Sequence, residues 1–291
     1  MYKNIIFFKI YEEILPLYKN LDSKKEILKK LRSIDIKKEI EILDSNKNKK
    51  RNLFIIETDD GGMFGTLSKK RPFNENSLSR LLYKEKESEV DTDNLLLEDF
   101  TYFYIRFSDF NISVISNKRA PDFETTINLY FKDLFSNNYF SRLEVVRYAS
   151  NMKEIETRLK NVSKLDFIVH SNEIDEYSVF SDFFNFSKNE LEKVSSTINF
   201  KRKTVNIKKL KKKLGNKDIN SFFNKINVTC EDDNDNQYVV DFLKEFITFN
   251  AKIENLDETL KSSSDLSKIK EALIISFNHL LWLWVKICYL K

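Results

Sequence analysis

Three of the chain's four glycines fall in one short stretch, Gly61 and Gly62 between two β-prone runs, residues 53–58 and 63–68, and Gly65 within the second run. Asp59 and Asp60 lead into the first two. Asp and Gly both tolerate positive φ, so the segment predicts a tight hairpin, and a hairpin commits this part of the chain to an antiparallel sheet. Residues 101–108 and 111–116 predict a second hairpin, with Phe103, Ile105 and Phe107 alternating with Tyr102, Tyr104 and Arg106. A third is expected from residues 226–230 and 238–242, turning through the acidic stretch 231–236.

Helices are predicted around these hairpins. Ile27, Leu28, Leu31, Ile34 and Ile40 among charged residues suggest a surface helix or helix pair over residues 24–43. After Pro121 the apolar spacing becomes Phe123, Ile127, Tyr130, Phe131 and Leu134, an amphipathic helix that should cover the sheet. Residues 143–148 and 164–170 read as strands flanking a helix over 152–162, with Ile155, Leu159 and Val162 inward. The first ten residues read as a buried strand, because Lys9 breaks a run too short for a secretory signal. Residues 272–290 are strongly apolar, and Leu266, Ile269, Leu273, Phe277, Leu280, Trp284 and Ile287 recur at helical spacing. Ser276, Asn278, His279 and Lys286 interrupt the run, which favours burial in a core or dimer seam over a membrane span.

The expected fold class is therefore α+β: a mixed sheet built from hairpins and covered by helices, with a basic C-terminal region ending in a long apolar helix. Two domains are expected, an α+β globular domain over residues 1–198 and a basic hairpin-plus-helix domain over 199–291. With 291 residues, 41% apolar and 13% aromatic, the chain has ample material for a packed core. Cys230 and Cys288, far apart and without a signal peptide, fit free thiols in a reducing cytoplasm.

The sharpest local feature is charge. Residues 201–217 contain Lys201, Arg202, Lys203, Lys208, Lys209, Lys211, Lys212, Lys213 and Lys217, and no acid. Of 49 basic and 45 acidic residues in the chain, 40 basic ones lie elsewhere, so this segment carries +9 while the remainder carries −5. Ile207, Leu210 and Leu214 form a short apolar stripe within it, so a helix docked by that stripe presents lysines on its other side. Such a face suits phosphate contacts, which confer salt-dependent affinity without base specificity. A solvated face and an anionic membrane surface are the other readings of the run. Smaller basic groups at residues 47–51, 69–71 and 118–119 extend a groove if the fold gathers them. Tyr102, Tyr104 and Tyr148 near Arg106 and Arg147 offer stacking on single strands, although strand aromatics ordinarily serve the core.

Enzymatic signatures are missing from the sequence. A phosphate-cradling Walker loop or dinucleotide fingerprint needs clustered glycines before a helix, and neither pattern occurs. His170 and His279 stand apart from each other and from the cysteines, which fits no compact zinc spacing. Pro121-Asp122-Phe123-Glu124 looks like the start of a nuclease motif, but no acid-x-Lys follows on the next strand. Residues 232–236 have the composition of a calcium loop, yet Gln237 stands where the turning glycine belongs. No cofactor or metal site is expected. A toxin nuclease remains an alternative only if scattered acids such as Asp59, Asp60 and Glu144 converge in the fold. A non-enzymatic oligomeric interaction protein is the other alternative.

The order of features resembles the RexA-like phage-exclusion and abortive-infection proteins. The resemblance is carried by the short first strand, the hairpin running from residue 53 to Arg71, the strand pair over residues 100–116 and the helix over 123–135. Phe200-Lys201-Arg202-Lys203 and the hairpin over 226–246 complete it. It implies a cytoplasmic homodimer that binds double-stranded DNA, senses phage infection and acts with a separate membrane-protein partner in antiviral defence. Lys201, Arg202 and Lys203 fall on the matching basic stretch, and Lys208–Lys213 extend it on the strength of charge alone. The apolar C-terminal segment departs from the family's pattern.

Overall fold

The computed structural model describes residues 2–44, 49–72, 96–136, 139–150, 155–157, 159, 161–169, 194–201, 205–214, 223–243, 246–253 and 263–285. The chain forms two compact units, one of Ile10–Val145 and one of Met1–Lys9 with Val146–Lys291. Two strands, β1 (Tyr2–Ile14) and β7 (Phe140–Ser150), give their two ends to different units. Residue 200, near which a change of character is expected, lies inside the second unit, where its N–H donates to Ser163 O at 2.9 Å.

In the first unit the strand order is β2-β3-β4-β5-β6-β1-β7, with β2 Glu39–Asp44, β3 Lys49–Thr58, β4 Gly62–Pro72, β5 Leu96–Arg106 and β6 Asn111–Ile115. Both expected hairpins form, β3–β4 and β5–β6, each antiparallel. Asp59 organises the glycine turn: its Oδ1 accepts from the N–H groups of Gly61 at 2.8 Å and Gly62 at 2.9 Å. Gly62 is required for a steric reason, since a Cβ there would lie 2.3 Å from Ile105 O and 2.5 Å from the Tyr104 ring.

Helix α1 (Ser23–Arg32) is capped by Asp22, whose side chain accepts from Lys25 N–H, and buries Ile27 and Leu31. The helix or helix pair expected to reach residue 43 stops at Arg32. Lys37 turns the chain at φ 60°, its N–H bonded to Ile55 O at 2.7 Å. Ile40 and Ile42 then alternate on β2 opposite Leu53 and Arg51. The apolar period changes from helical to two-residue at that point, and the β3 partner decides the outcome. Helix α2 (Phe123–Leu134) starts where Pro121-Asp122 predicts, with Asp122 Oδ1 accepting from Thr125 N–H at 2.8 Å. It buries Phe123, Thr126, Ile127 and Phe131, and its Phe123 ring packs 5.4 Å from that of Phe103 on β5.

In the second unit the order is β7-β12-β11-β10-β8-β9, with β1 also paired to β12 and β13 to β7. These strands are β8 Asn161–Val169, β9 Val194–Asn199, β10 Phe223–Glu231, β11 Gln237–Asp241, β12 Phe246–Lys252 and β13 Leu283–Val285. Alternate residues line one face: Leu165 lies opposite Val228, Val228 opposite Val240 and Val240 opposite Ile247, all buried. Helices α3 (Ile207–Leu214) and α4 (Ser263–Ser276) accompany this sheet. Of the helix expected over 152–162, residues 155–157 are helical, Ile155 and Leu159 are buried, and Val162 belongs instead to β8.

The long apolar C-terminal helix does not form as expected. Helix α4 ends at Ser276, a 3-10 turn follows over Phe277–Trp282, and β13 pairs Leu283, Trp284 and Val285 with Ser150, Ala149 and Tyr148 of β7. The helical spacing is real up to the turn, since Ile269, Leu273, Phe277 and Leu280 are all buried. Two local effects end it. Ser276 Oγ donates back to Leu273 O at 2.6 Å, and the β-prone residues beyond find an open partner in β7. Among the described residues no helix is long and apolar enough to cross a membrane.

Candidate nucleic-acid interface

Helix α3 is the helical element among the described residues of the basic segment. Asn206 caps it: its Oδ1 accepts from Lys209 N–H at 2.7 Å and its carbonyl from Leu210 N–H at 2.9 Å. One residue earlier, Val205 O accepts from Val162 N–H at 2.8 Å, tying the helix entry to the first turn of β8. Ile207 and Leu210 are buried, whereas Lys208 and Lys209 are exposed. Lys211, Lys212 and Lys213 continue the helix toward its C-terminal end, where the helix dipole favours positive charge. Lys201 is exposed just upstream. Arg202, Lys203 and Lys217 lie outside the described residues. The arrangement is a short amphipathic helix docked by apolar side chains and offering ammonium groups outward.

The other basic groups behave differently. Lys50 Nζ on β3 lies 3.3 Å from Glu41 on the neighbouring β2, and Lys70 Nζ on β4 lies 2.7 Å from Glu39, two strands away on β2. Arg71 Nε donates to Asp99 Oδ2 at 2.9 Å, and Arg106 forms an ion pair with Asp109. Arg51 is buried, its Nη1 donating to Thr126 Oγ1 at 2.6 Å beneath α2. Lys118 and Arg119 are exposed in a turn held by Asn117. The basic groups at residues 50–51 and 70–71 are thus consumed by ion pairs and packing, and form no groove in their unit. The tyrosines follow the same logic. Tyr104 and Tyr148 are buried, and Tyr102 packs its ring 5.8 Å from Phe64, where burial and then Glu98 hold its phenol above the usual range.

The acids considered for catalysis are each committed elsewhere. Asp59 organises the glycine turn, Asp60 Oδ1 lies 3.2 Å from Arg32, Glu144 is ion-paired with Arg142, and Asp122 caps α2. Among the described residues no three His, Cys, Asp or Glu side chains come together. His170 and Cys288 lie outside the described residues. Burial pushes the thiol of Cys230 well above its usual range, so it is inert packing.

The acidic hairpin turn is a turn, as expected, and it belongs to a network that sequence reasoning missed. Asp232 Oδ1 accepts from Asn234 and Asn236 N–H, each at 2.9 Å, and Oδ2 accepts from Asn236 Nδ2 at 3.0 Å and Tyr238 OH at 3.1 Å. Burial alone would raise this carboxyl, but the bonds from Asn236, Asn234 and Tyr238 outweigh it and hold the group below the carboxylate range. Tyr238 OH is also 2.9 Å from His279 Nδ1, and the His279 ring stacks on Phe249 at 3.9 Å. Burial lowers the imidazole's pKa, and the Asp232 charge opposes that shift. An ionised Asp232 can only accept, so the phenol O–H donates to it, which leaves Nδ1–H of His279 as donor to the phenol oxygen. No sequence signal joins residues 232, 238 and 279, because only the pairing of α4's trailing turn with the β11–β12 surface brings the histidine there.

The fold and this site define a mixed α and β chain dominated by antiparallel strands, with its excess positive charge concentrated around one docked helix. No protein-family model matches the chain, and no curated protein matches it.

Proposed function

We propose that the chain is a DNA-binding protein without an enzymatic activity of its own, gripping the phosphates of duplex DNA through the lysines of α3 and its flanks. The observation that supports this reading is the division of α3, with Ile207 and Leu210 buried and Lys208 and Lys209 exposed, inside a segment that contains no acid. Ammonium groups on a fixed helix neutralise phosphates and release counterions, which gives affinity without sequence preference. The resemblance to phage-exclusion proteins supplies the setting: a cytoplasmic abortive-infection protein that meets DNA during phage attack.

The test is binding of labelled duplex DNA, single-stranded DNA and RNA across a salt series. Wild type is compared with a variant carrying Lys208, Lys209, Lys211, Lys212 and Lys213 changed together to Glu. Tight duplex binding with a logarithmic salt slope of about −0.9 per phosphate contact, lost in the variant, is the expected result. Equal binding by both proteins, or none by either, overturns the reading.

A further inference from the structure

We propose that the unit of Ile10–Val145 carries a membrane-docking surface, with Leu17 as an apolar tip and the lysines of α1 set against the headgroups of an anionic bilayer. Leu17 is 89% exposed, the most exposed large hydrophobic side chain among the described residues. It sits in a 3-10 turn over Pro16–Tyr18, where Pro16 fixes the backbone at the start. Next in the chain, Tyr18 stands edge to face with Tyr139, their ring centroids 5.0 Å apart and both side chains exposed. The turn is firmly held. Leu15 N–H donates to Tyr139 O at 3.0 Å, and Leu15 O accepts from Tyr18 N–H at 2.8 Å. Tyr18 O accepts in turn from Leu21 N–H at 2.9 Å, so the chain passes from β1 into α1 through two successive turns. Ser23 Oγ, donating to Glu12 Oε1 at 2.9 Å, docks the start of α1 on β1.

A lone exposed leucine is ordinary on a protein surface, but this one is joined to a tyrosine pair and a concentration of positive charge. In residues 16–32, Lys19, Lys24, Lys25, Lys29, Lys30 and Arg32 stand against Asp22 and Glu26, six cations to two acids and a net of +4. Asp22 is engaged as the cap of α1, and Arg32 pairs with Asp60. Lys19, Lys24, Lys25 and Lys29 are exposed. Lys25 and Lys29 lie one turn apart on the side of α1 opposite the buried Ile27 and Leu31. An occupant of this surface must be anionic and must also give an apolar side chain somewhere to bury. Duplex DNA meets the first condition only, since its phosphates offer Leu17 no apolar contact. An anionic bilayer meets both. The amphipathic tyrosine rings belong at headgroup level, Leu17 reaches the acyl boundary, and the lysines lie against the lipid phosphates. Neither signal suffices alone, and together they give weak, reversible adsorption.

Co-sedimentation of the whole chain with lipid vesicles tests this without any nucleic acid present. Vesicles of phosphatidylcholine alone are set against vesicles of equal parts phosphatidylcholine and phosphatidylserine. Wild type is expected to sediment with the anionic vesicles and to be released as salt is raised. Leu17→Ser changes a side chain that the fold does not pack. It is expected to weaken vesicle binding about tenfold while leaving the circular dichroism spectrum and duplex affinity unchanged. Lys25→Glu with Lys29→Glu is expected to weaken vesicle binding at least as much. Vesicle binding that Leu17→Ser leaves at the wild-type level is adsorption by charge alone, through α1 or through α3, and overturns the proposal. A wild type that sediments with neither kind of vesicle overturns it too. So does a Lys25 and Lys29 variant that loses duplex affinity yet keeps its vesicle binding, because the surface then belongs to nucleic acid.

Discussion

Two regions of the molecule, the β2–β5 strands and the α3 segment, treat positive charge differently. In the unit of Ile10–Val145, Lys50, Lys70, Arg71 and Arg106 each pair with an acid on another strand or in a turn, and Arg51 is buried against Thr126. In the other unit, α3 and its flanks carry nine basic residues without an acid among residues 201–217. The first arrangement binds the protein to itself, because a cation already beside a carboxylate has little field left for a ligand. The second presents Lys208 and Lys209 exposed in a stretch with no acid of its own. Counting lysines does not separate these cases.

The largest effect expected from breaking this contrast is at Arg51. Arg51 is 8% exposed and its guanidinium is bonded to Thr126 Oγ1, which in turn donates to Asp122 O at 2.6 Å. Arg51→Ala leaves a cavity under α2 and polar atoms without their partner, and should cost about 3 kcal/mol in urea unfolding. Duplex affinity of the folded protein should not change. The converse change is Lys208→Glu with Lys209→Glu, at two exposed positions that the fold does not use for packing. It should lower duplex affinity by about 30-fold at low salt and flatten the salt slope by about two, with unfolding unchanged.

Tyr238 comes next, at about 1–2 kcal/mol for Tyr238→Phe, because a buried hydroxyl with two partners is lost while the ring remains. The same network sets a pH dependence. The His279 imidazole is depressed by burial, so an unfolded chain takes up its proton first as pH falls below about 6.5. Its contribution is present above that value and is lost as pH falls toward the folded pKa. Asp232, also depressed, adds stability above the ordinary carboxylate range that is lost in more acid solution. Unfolding measured from pH 7 downward should therefore show wild type losing stability in two stages. His279→Phe, which keeps a ring on Phe249, should lack the first.

Much of this architecture was legible in the residues. The glycine hairpin, the β5–β6 and β10–β11 hairpins, the Asp122-capped helix and the lysine helix all follow from local chemistry, namely turn residues, caps and alternation. The departures have a common cause. Ile40 and Ile42 fit a helical stripe after Ile34 and fit a strand equally well, and β3 as partner selects the strand. Trp284 continues a helical spacing, yet β7 takes it as part of a strand. In both places the competing structure is stabilised by a partner remote in sequence, which local periodicity cannot register. The Asp232–Tyr238–His279 network was hidden for the same reason.

The smallest expected effect is at Arg71, and it is the most direct check on the contrast between the two regions. Its Nε donates to Asp99 Oδ2 at 2.9 Å, with the Arg71 side chain 38% exposed and that of Asp99 12%. Lys69, not Arg71, lies directly opposite Asp99, so the pair is a diagonal one that a long side chain must reach to make. Arg71→Met keeps the apolar stem and removes the charge, and at this exposure should cost only about 0.5 kcal/mol. Because the guanidinium is already matched to a carboxylate, duplex affinity measured at low salt should stay within about twofold of wild type. If Arg71→Met instead lowers affinity as far as the Lys208 and Lys209 reversals do, carboxylate pairing has not withdrawn this cation from the ligand. The distinction between charge that binds the protein and charge that binds DNA would then fail.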